Sequence, residues 1–387
     1  MGEHYDVAVI GGGLAGIAAT LYLQEHGVDV ALIESSDRVG GRVASDLIDG
    51  FICDRGFQLI NSTYPNLVEL DVLKELDFVT APRMVEVSLG SSRHVIGDPR
   101  IYPLSALDRA TGTIPEKIRF LQFLLLKRPR TASIGQALRQ LGTLYDHVLR
   151  PFLTGVFLCD PDRVDFDYGV SIIKSFVSGG LGVPRLGVRV LPQVLSQRIN
   201  NLRLNTRVER LRGVHLESSA GSMTAQKIIV ATDPTTAAQL LDFPGVVTMA
   251  SCITWYHAAS DNPSGTGRLL IDGHNRGPII NSVVISDISS HYSDSQHSLI
   301  STTTGLSVTE SDVRRHAALM WGCDTRDWQL VAKYEIPSAL PIHIPGKALS
   351  QTMKISENLF VAGDHRSVPS QQGALFSGKL AAQLLLN

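Results

Sequence analysis

The feature that most restricts the fold of this chain is the passage from Asp6-Val-Ala-Val-Ile10 into Gly11-Gly-Gly-Leu-Ala-Gly16. Four consecutive apolar residues, Val7 to Ile10, predict a short strand covered on both faces. Leu14 to His26 then predicts a helix ending at Gly27, and Val28 to Ile33 a second apolar strand. Residues 5–34 therefore read as strand, helix, parallel strand. In that setting Gly11 permits the tight turn, Gly13 lets backbone approach a pyrophosphate, and Gly16 lets helix pack on strand. The N–H groups of the helix start, from Leu14 and Ala15 onward, offer donors and a partial positive charge to that phosphate. Glu34, 18 residues beyond Gly16 and next to Ser35, puts a carboxylate where ribose hydroxyls bind. A nicotinamide enzyme would share all of this, so the turn alone specifies only a dinucleotide.

The remaining 350 or so residues have to be built around that unit. At 387 residues the chain exceeds one ordinary domain. Its 44% hydrophobic and 19% charged content suits a large core. A net charge of −2 and the lack of a long basic run give no reason to expect nucleic acid. Cys53, Cys159, Cys252 and Cys323 are scattered, so they read as small buried hydrophobes rather than a zinc site or redox pair. No signal-peptide pattern or bilayer-length apolar run is visible, and the expected location is cytoplasmic.

Residues 104–200 read mostly as helix, with candidates at Ile114–Lys127, Ile134–Leu141, Tyr145–Leu153 and Val170–Phe176. Residues 202–216 and 227–231 return to strand character, and 246–305 alternate as an antiparallel sheet would. Thr309-Glu-Ser-Asp312 is a helix start and Gly322 its stop. The expected architecture is α/β, with a Rossmann-like dinucleotide domain drawn from 1–80, 190–245 and 346–387. The discontinuous remainder, 81–189 and 246–345, is expected to form an α+β substrate domain of helices plus an antiparallel sheet.

Two further segments narrow the nucleotide. In Arg38-Val-Gly-Gly-Arg42 the paired glycines, Gly41 included, expose backbone amides, and Arg42 can add a guanidinium to the same diphosphate. Arg38 reads as a solvated surface charge. Near the other end, Asn358-Leu-Phe-Val-Ala-Gly363-Asp364 is a strand feeding a turn, and Gln371-Gln372-Gly373-Ala374 opens a helix. Gly373 would let backbone approach a planar ring edge, and the helix start would stabilise negative charge on that ring by about 1 kcal/mol.

Here the sequence resembles the flavin-containing amine oxidase, phytoene desaturase and protoporphyrinogen oxidase superfamily. The resemblance is carried by VAVIGGGLAGIAATLYLQEHGVDVALIESSDRVGGR, CDRGFQLI and NLFVAGDHRSVPSQQGALFSGKLAA, and more weakly by VPRLGVRVLPQVL, NTRVERL, IIVATDP and IPSALPIHIPG. It implies FAD. Gly11, Gly13, Gly16, Glu34 and Arg42 would hold the ADP half, and the backbone of Val208 would contact adenine. Asp364 would serve the ribityl chain or diphosphate, and Gly56, Phe57 and Gln58 would lie along the isoalloxazine ring. Family members with covalent flavin carry a cysteine before the final strand; this chain has none there, which implies non-covalent FAD.

Only one complete G-x-G-x-x-G is present, so electrons are expected from an organic substrate rather than from a nicotinamide. The leading expectation is hydride transfer from a C–H bond of a largely apolar small molecule to flavin N5, which needs orientation and dryness more than an acid or base. The catalytic residues are unassigned. An amine oxidase producing peroxide is the alternative, weakened because residues 255–305 contain no lysine. A non-redox isomerase or mutase, or a flavin-binding protein without turnover, stays open. Phe57, Gln58, Trp255, Tyr256 and Ala339-Leu-Pro341 are pocket candidates, although the aromatics read first as core. His257, His343 and His365 read as structural before proton-carrying, with His365 the best placed of them. The helix Lys117–Arg128, apolar and flanked by base, reads first as a cover of the substrate domain and second as a membrane-surface helix.

Overall fold

The computed structural model describes residues 3–125, 132–242, 247–294 and 296–387. Its first sheet has seven strands. Glu3–Ile10 lies between Val30–Ile33 and Gly221–Val230, all parallel, and Leu202–Arg203 extends the Val30–Ile33 side. The long strand Gly221–Val230 carries two partners along its other edge. Its first half pairs antiparallel with His215–Ser218, which continues to Val208–Arg212, and its second half pairs parallel with Leu359–Val361. Strands from both ends of the sequence thus finish at one edge. The sequence reading took residues 202–216 as one stretch; turns at Asn205 and Gly213, both with positive φ, divide it.

Helices Leu14–Glu25 and Gln371–Leu386 pack together on one face of this sheet, burying Ile17, Leu21, Leu32, Ala381 and Leu385 in a common core. Small residues permit that approach. A Cβ at Gly378 would stand 1.9 Å from the Ala15 carbonyl oxygen. The opposite face buries Tyr5, Ala8, Ile33, Val208, Met223 and Val230.

The second sheet is also seven-stranded, ordered Gln329–Pro341, Met249–Ala259, Ser298–Thr304, Ile279–Val284, Leu269–Asp272, Met84–Leu89, Ser92–Gly97. The expected antiparallel arrangement holds except where Leu269–Asp272 runs parallel to Met84–Leu89. The hairpins 45–54 and 84–97 were not anticipated; the first is a two-stranded sheet of four-residue strands paired only with each other, and the second joins the large sheet through a distant partner, Val85 opposite Leu269. One face of the sheet is covered by helix Glu310–Trp321, which begins at a Thr309–Asp312 capping box and ends at Gly322. A helical lobe follows the order expected for residues 104–200: Ile114–Leu125, Ile134–Leu138, a continuous run over 142–157, and Phe166–Ser178. Leu126 and Lys127, the expected end of the first of these, lie outside the described residues, as does Arg128.

Replacing Gly378 by Ala should push the last helix off the first. The expected cost is about 1–3 kcal/mol of unfolding free energy, read as a lower denaturant midpoint at unchanged slope.

Candidate flavin-binding site

Parallel pairing brings the C-terminal ends of the strands to one edge, where ligands of open α/β sheets bind. Gly11 N–H donates to the Ile33 carbonyl (2.8 Å), Ala231 N–H to Ile10 (2.7 Å) and Ala362 N–H to Val230 (2.9 Å). The turn residues Gly11–Gly13, Glu34 and Gly363 are therefore neighbours by backbone bonding alone. Gly40 N–H donates to Gly12 (2.7 Å) and a bridge joins Gly13 to Gly40, which draws in the Gly40-Gly41 turn.

Two glycines here have opposite reasons. A Cβ on Gly16 would fall 1.9 Å from the Gly11 carbonyl oxygen, so the turn itself requires glycine. A Cβ on Gly13 would meet nothing within 4 Å. That open space lies at the start of a helix with no side-chain cap and no acidic residue in its first turn, so the Leu14, Ala15 and Gly16 N–H groups are left for an outside acceptor. The cradle fits a diphosphate.

Glu34 is more than a ribose ligand in waiting. Its carboxylate accepts from Gly12 N–H (2.6 Å), Ser36 N–H (2.8 Å), Ser36 Oγ (2.7 Å) and Ser35 Oγ (3.2 Å). Burial would raise its pKa, but these donors outweigh burial and hold it below the ordinary value. Thr206 N–H donates to the Glu34 carbonyl (2.8 Å), so Val208, two residues on, is buried beside the same strand end. Val208 also pairs with Ser218 in the sheet.

Arg42 and Asp364, 322 residues apart, form an ion pair at 2.6 Å, and Arg42 also donates to the Ala339 carbonyl (2.9 Å). Asp364 is buried, whereas Arg42 keeps 40% of its side chain exposed. Burial would lower the Arg42 pKa; Asp364 outweighs it and raises it. Asp364 thus acts first as the anchor that fixes the Arg42 guanidinium. Arg38, expected as a free surface charge, donates to the carbonyls of Val39 and Gly41 and braces the glycine turn.

On the ring side, Gly56 has its Cβ position 3.1 Å from Ile336 Cδ1, and Gln58 Nε2 donates to the Arg42 carbonyl (2.9 Å). Gln371, which the sequence reading did not select, donates to Gln58 Oε1 (3.2 Å), and its own Oε1 is buried with no partner. The Gln372 side chain turns away and exchanges hydrogen bonds with Asn66. Only its backbone faces the helix start. Two adjacent glutamines look alike in sequence, and helix phase decides between them. Gly373 also has a different reason from the expected one: a Cβ there would lie 1.8 Å from the Val368 carbonyl oxygen. Ser370 Oγ caps Gly373 N–H (3.0 Å) and the Ser370 carbonyl accepts from Ala374 N–H (2.9 Å), so only the N–H groups of Gln371 and Gln372 remain at the open end and Ala374, expected at the flavin, spends its backbone inside the helix.

Other candidates fall elsewhere. Trp255 lies under helix Glu310–Trp321, its indole N–H bonded to Thr304 Oγ1 (3.0 Å), so it is core and not pocket. His257 shares that face, and burial pushes its pKa down to about 4. His343 Nε2 donates to the Lys347 carbonyl (3.0 Å) beside the Tyr168 ring. His365 is buried behind Gly363, and burial lowers its pKa to about 4, so its ring is neutral near pH 7. The segment 339–341 is the end of a strand rather than a turn. Tyr256 and Phe57 join one cluster with Phe51, Ile52 and Cys53, and Tyr256 donates to the Asp54 carbonyl (3.0 Å).

Asp54, just before the Gly56–Gln58 stretch, is a structural hub. Its buried carboxyl accepts from Ser45 Oγ (2.6 Å), Val188 N–H (3.1 Å) and Tyr292 hydroxyl (2.9 Å), yet burial still raises its pKa to about 6. A folded pKa above the unfolded one means stability is lost as pH climbs between the two. Stability should fall by roughly 2 kcal/mol between pH 4 and pH 7 from this group, and Asp54→Asn should flatten that slope while its amide oxygen keeps the bonds from Ser45 and Val188; unfolding curves at both pH values check it. Arg42→Ala should weaken FAD binding about tenfold or more and leave Asp364 buried and unpaired. Adding Asp364→Asn should recover part of the lost stability, read by flavin titration and unfolding in a double-mutant cycle.

With this geometry in place, comparison with known proteins is specific. Residues 14–386 match the family model described as flavin containing amine oxidoreductase. Among curated proteins, protoporphyrinogen oxidase 2 of Arabidopsis thaliana is 25% identical over 200 residues, 46% of this chain and 38% of that protein. Coproporphyrinogen III oxidase of Propionibacterium freudenreichii is 30% identical over 183 residues, 43% of this chain and 34% of that protein. The matched stretches thus span little more than a third of these relatives. Among solved structures, a putative protoporphyrinogen oxidase from Exiguobacterium sp. 255-15 superposes with a TM-score of 0.74 at 16% identity, covering 99% of this chain and 98% of the other. The cradle, the paired Arg42 and Asp364 and a match over nearly all of its length place this chain in the flavin-containing amine oxidoreductase family, as an FAD-dependent oxidoreductase.

Proposed function

We propose that this chain, with FAD held without a covalent bond, takes a hydride from a carbon of a largely apolar, uncharged substrate, in the manner of a desaturase or dehydrogenase. The observation that carries this reading is the chemistry of the sheet face turned toward Gly56–Gln58. One row across four strands presents Tyr334, Thr254, Thr303 and Asn281, and the next presents Ala332, Tyr256, Ser301 and Val283. Neither row contains a lysine, arginine, aspartate or glutamate. The nearest charges are already paired within the chain: Asp46, bonded by the Tyr334 hydroxyl (2.8 Å), holds Arg55, and the Asp54 carboxyl is enclosed by Ser45, Val188 and Tyr292, so neither a cationic amine nor a sugar nucleotide finds a free counter-charge here. A neutral molecule with a few polar edges fits the first row, while the second packs on Phe51, Ile52 and Cys53 and backs it.

Thr254 and Thr303 stand opposite each other, buried; the Thr303 hydroxyl has no hydrogen-bond partner among the described residues, and that of Thr254 has beside it only the weakly bonding Cys252 thiol. An unpaired buried hydroxyl costs about 1–3 kcal/mol, which a ligand with a polar edge would recover. Helix Arg150–Phe157 crosses the face at Asn281, where Gly155 leaves room; a Cβ there would stand 2.7 Å from Asn281 Nδ2. Sheet and helix therefore orient a substrate and exclude water from it, the two contributions that C–H cleavage needs most. FAD, when bound, supplies the two-electron acceptor. The chain supplies placement.

Reconstitution with FAD followed by anaerobic mixing with a porphyrinogen, a polyene and a panel of primary amines tests the reading. Loss of the visible flavin colour with the porphyrinogen or polyene is expected. Bleaching by amines alone, with peroxide on re-aeration, overturns it. Thr303→Val should lower kcat/KM about tenfold without weakening FAD binding, since it removes one hydroxyl and keeps the shape.

A further inference from the structure

Helix Ile114–Leu125 has two apolar faces, and only one of them is used. Phe120, Phe123 and Leu124 pack inward on the core of the helical lobe. Ile114, Ile118, Leu121 and Leu125, spaced by four, three and four residues, form a stripe on the other side. They are 45%, 49%, 46% and 82% exposed, and no residue of the helix is fully buried. Lys117 turns inward and pins the helix to the preceding loop through the carbonyls of Ala106 (3.0 Å) and Asp108 (2.6 Å) and Thr111 Oγ1 (3.0 Å). That loop adds Leu104 and Leu107, 81% and 60% exposed. Six large apolar side chains thus project from one corner of the protein, far more than the scattered exposure normal for a surface.

Charge distinguishes the occupants this surface could take. Residues 104–125 carry Arg109, Lys117 and Arg119 against Asp108 and Glu116, and the sequence just beyond adds Lys127, Arg128 and Arg130 with no acid, in a chain whose net charge is −2. Both acids are turned into the fold: Asp108 bonds His94 (2.7 Å) and Ala110 N–H (2.9 Å), and Glu116 accepts from Thr113 N–H (2.7 Å) and Thr143 N–H (3.1 Å). Arg109 and Arg119 remain exposed beside the apolar stripe. A two-fold contact between copies of this chain would bring these like-charged rims together. An anionic bilayer would neutralise them while taking up the leucines and isoleucines. No helix among the described residues is long and apolar enough to cross a membrane, so the contact is with the surface.

We propose that residues 104–125 form a docking surface for anionic phospholipid membranes, with helix Ile114–Leu125 lying in the interface plane. The inference does not depend on which substrate the flavin site takes. Flotation of the FAD-loaded protein with vesicles tests it, using phosphatidylcholine alone or mixed equally with phosphatidylglycerol. Binding to the mixed vesicles is expected, falling with added salt and absent on phosphatidylcholine alone. Ile118→Asp with Leu121→Asp should abolish flotation. Arg109→Glu with Arg119→Glu should weaken it on the order of tenfold or more. Both double variants alter exposed positions, and unchanged flavin retention and thermal midpoint would show that the fold is intact. Failure of the wild-type protein to bind the mixed vesicles overturns the proposal. So does binding that the Ile118 and Leu121 substitutions leave unchanged, or a concentration-dependent dimer that they dissolve in place of any vesicle binding.

Discussion

The strand Gly221–Val230 is the constraint on which the site depends. It pairs in parallel with Glu3–Ile10 on one side and with Leu359–Val361 on the other, so segments from the two ends of the chain terminate at one edge. Because parallel strands share a direction, their following turns share a location. The glycine turn at 11–16, the carboxylate at 34 and the Gly363–Asp364 turn meet there without any side chain having to reach far. The helices that follow the first and last strands then pack against each other, through contacts as close as Gly378 on the Ala15 carbonyl. The N-termini of both helices consequently lie at the same edge of the sheet.

Onto this backbone frame the chain adds a small number of long-range polar ties. Arg42 with Asp364, Gln58 with Gln371, and Asp54 with Tyr292 and Val188 each join segments more than 100 residues apart. All three couple the Arg42–Gln58 stretch to another part of the fold. The stretch that would lie along the ring is held from both sides, which restricts its motion relative to the last helix. Such ties cost desolvation and return it only when every partner is in place. That condition explains why a single substitution at Arg42 is expected to affect both folding and the cofactor.

Much of this was legible in the residues. The strand–glycine–helix pattern, Glu34, the Gly40-Gly41 turn, and the capping box at Thr309 are local signals, readable because each depends on neighbours within a few positions. The hairpins at 45–54 and 84–97 were not: the first has strands of only four residues, too short for a clear alternation, and the second is fixed in its sheet by Leu269–Asp272, far away in the chain. Trp255 and Tyr256 illustrate the limit most simply. They are adjacent aromatic residues on one strand, and alternation sends one under a helix and the other toward Asp54. Which face is which depends on what the sheet packs against. Gln371 and Gln372 separate for the same reason on a helix.

The sequence by itself determined the dinucleotide cradle, the alternation of helix and strand around it, and through a resemblance the identity of FAD. These follow from short-range spacing, because turn geometry and helix N-termini are properties of a few consecutive residues. Only the tertiary structure decided that Asp364 anchors Arg42, that Gly373 makes way for the Val368 carbonyl, and that an uncharged row of hydroxyls faces the Gly56–Gln58 stretch. It also decided that helix Ile114–Leu125 leaves a second apolar face in solvent. Each of those outcomes rests on contacts between residues distant in the chain, and such contacts exist only once the sheets and helices have packed.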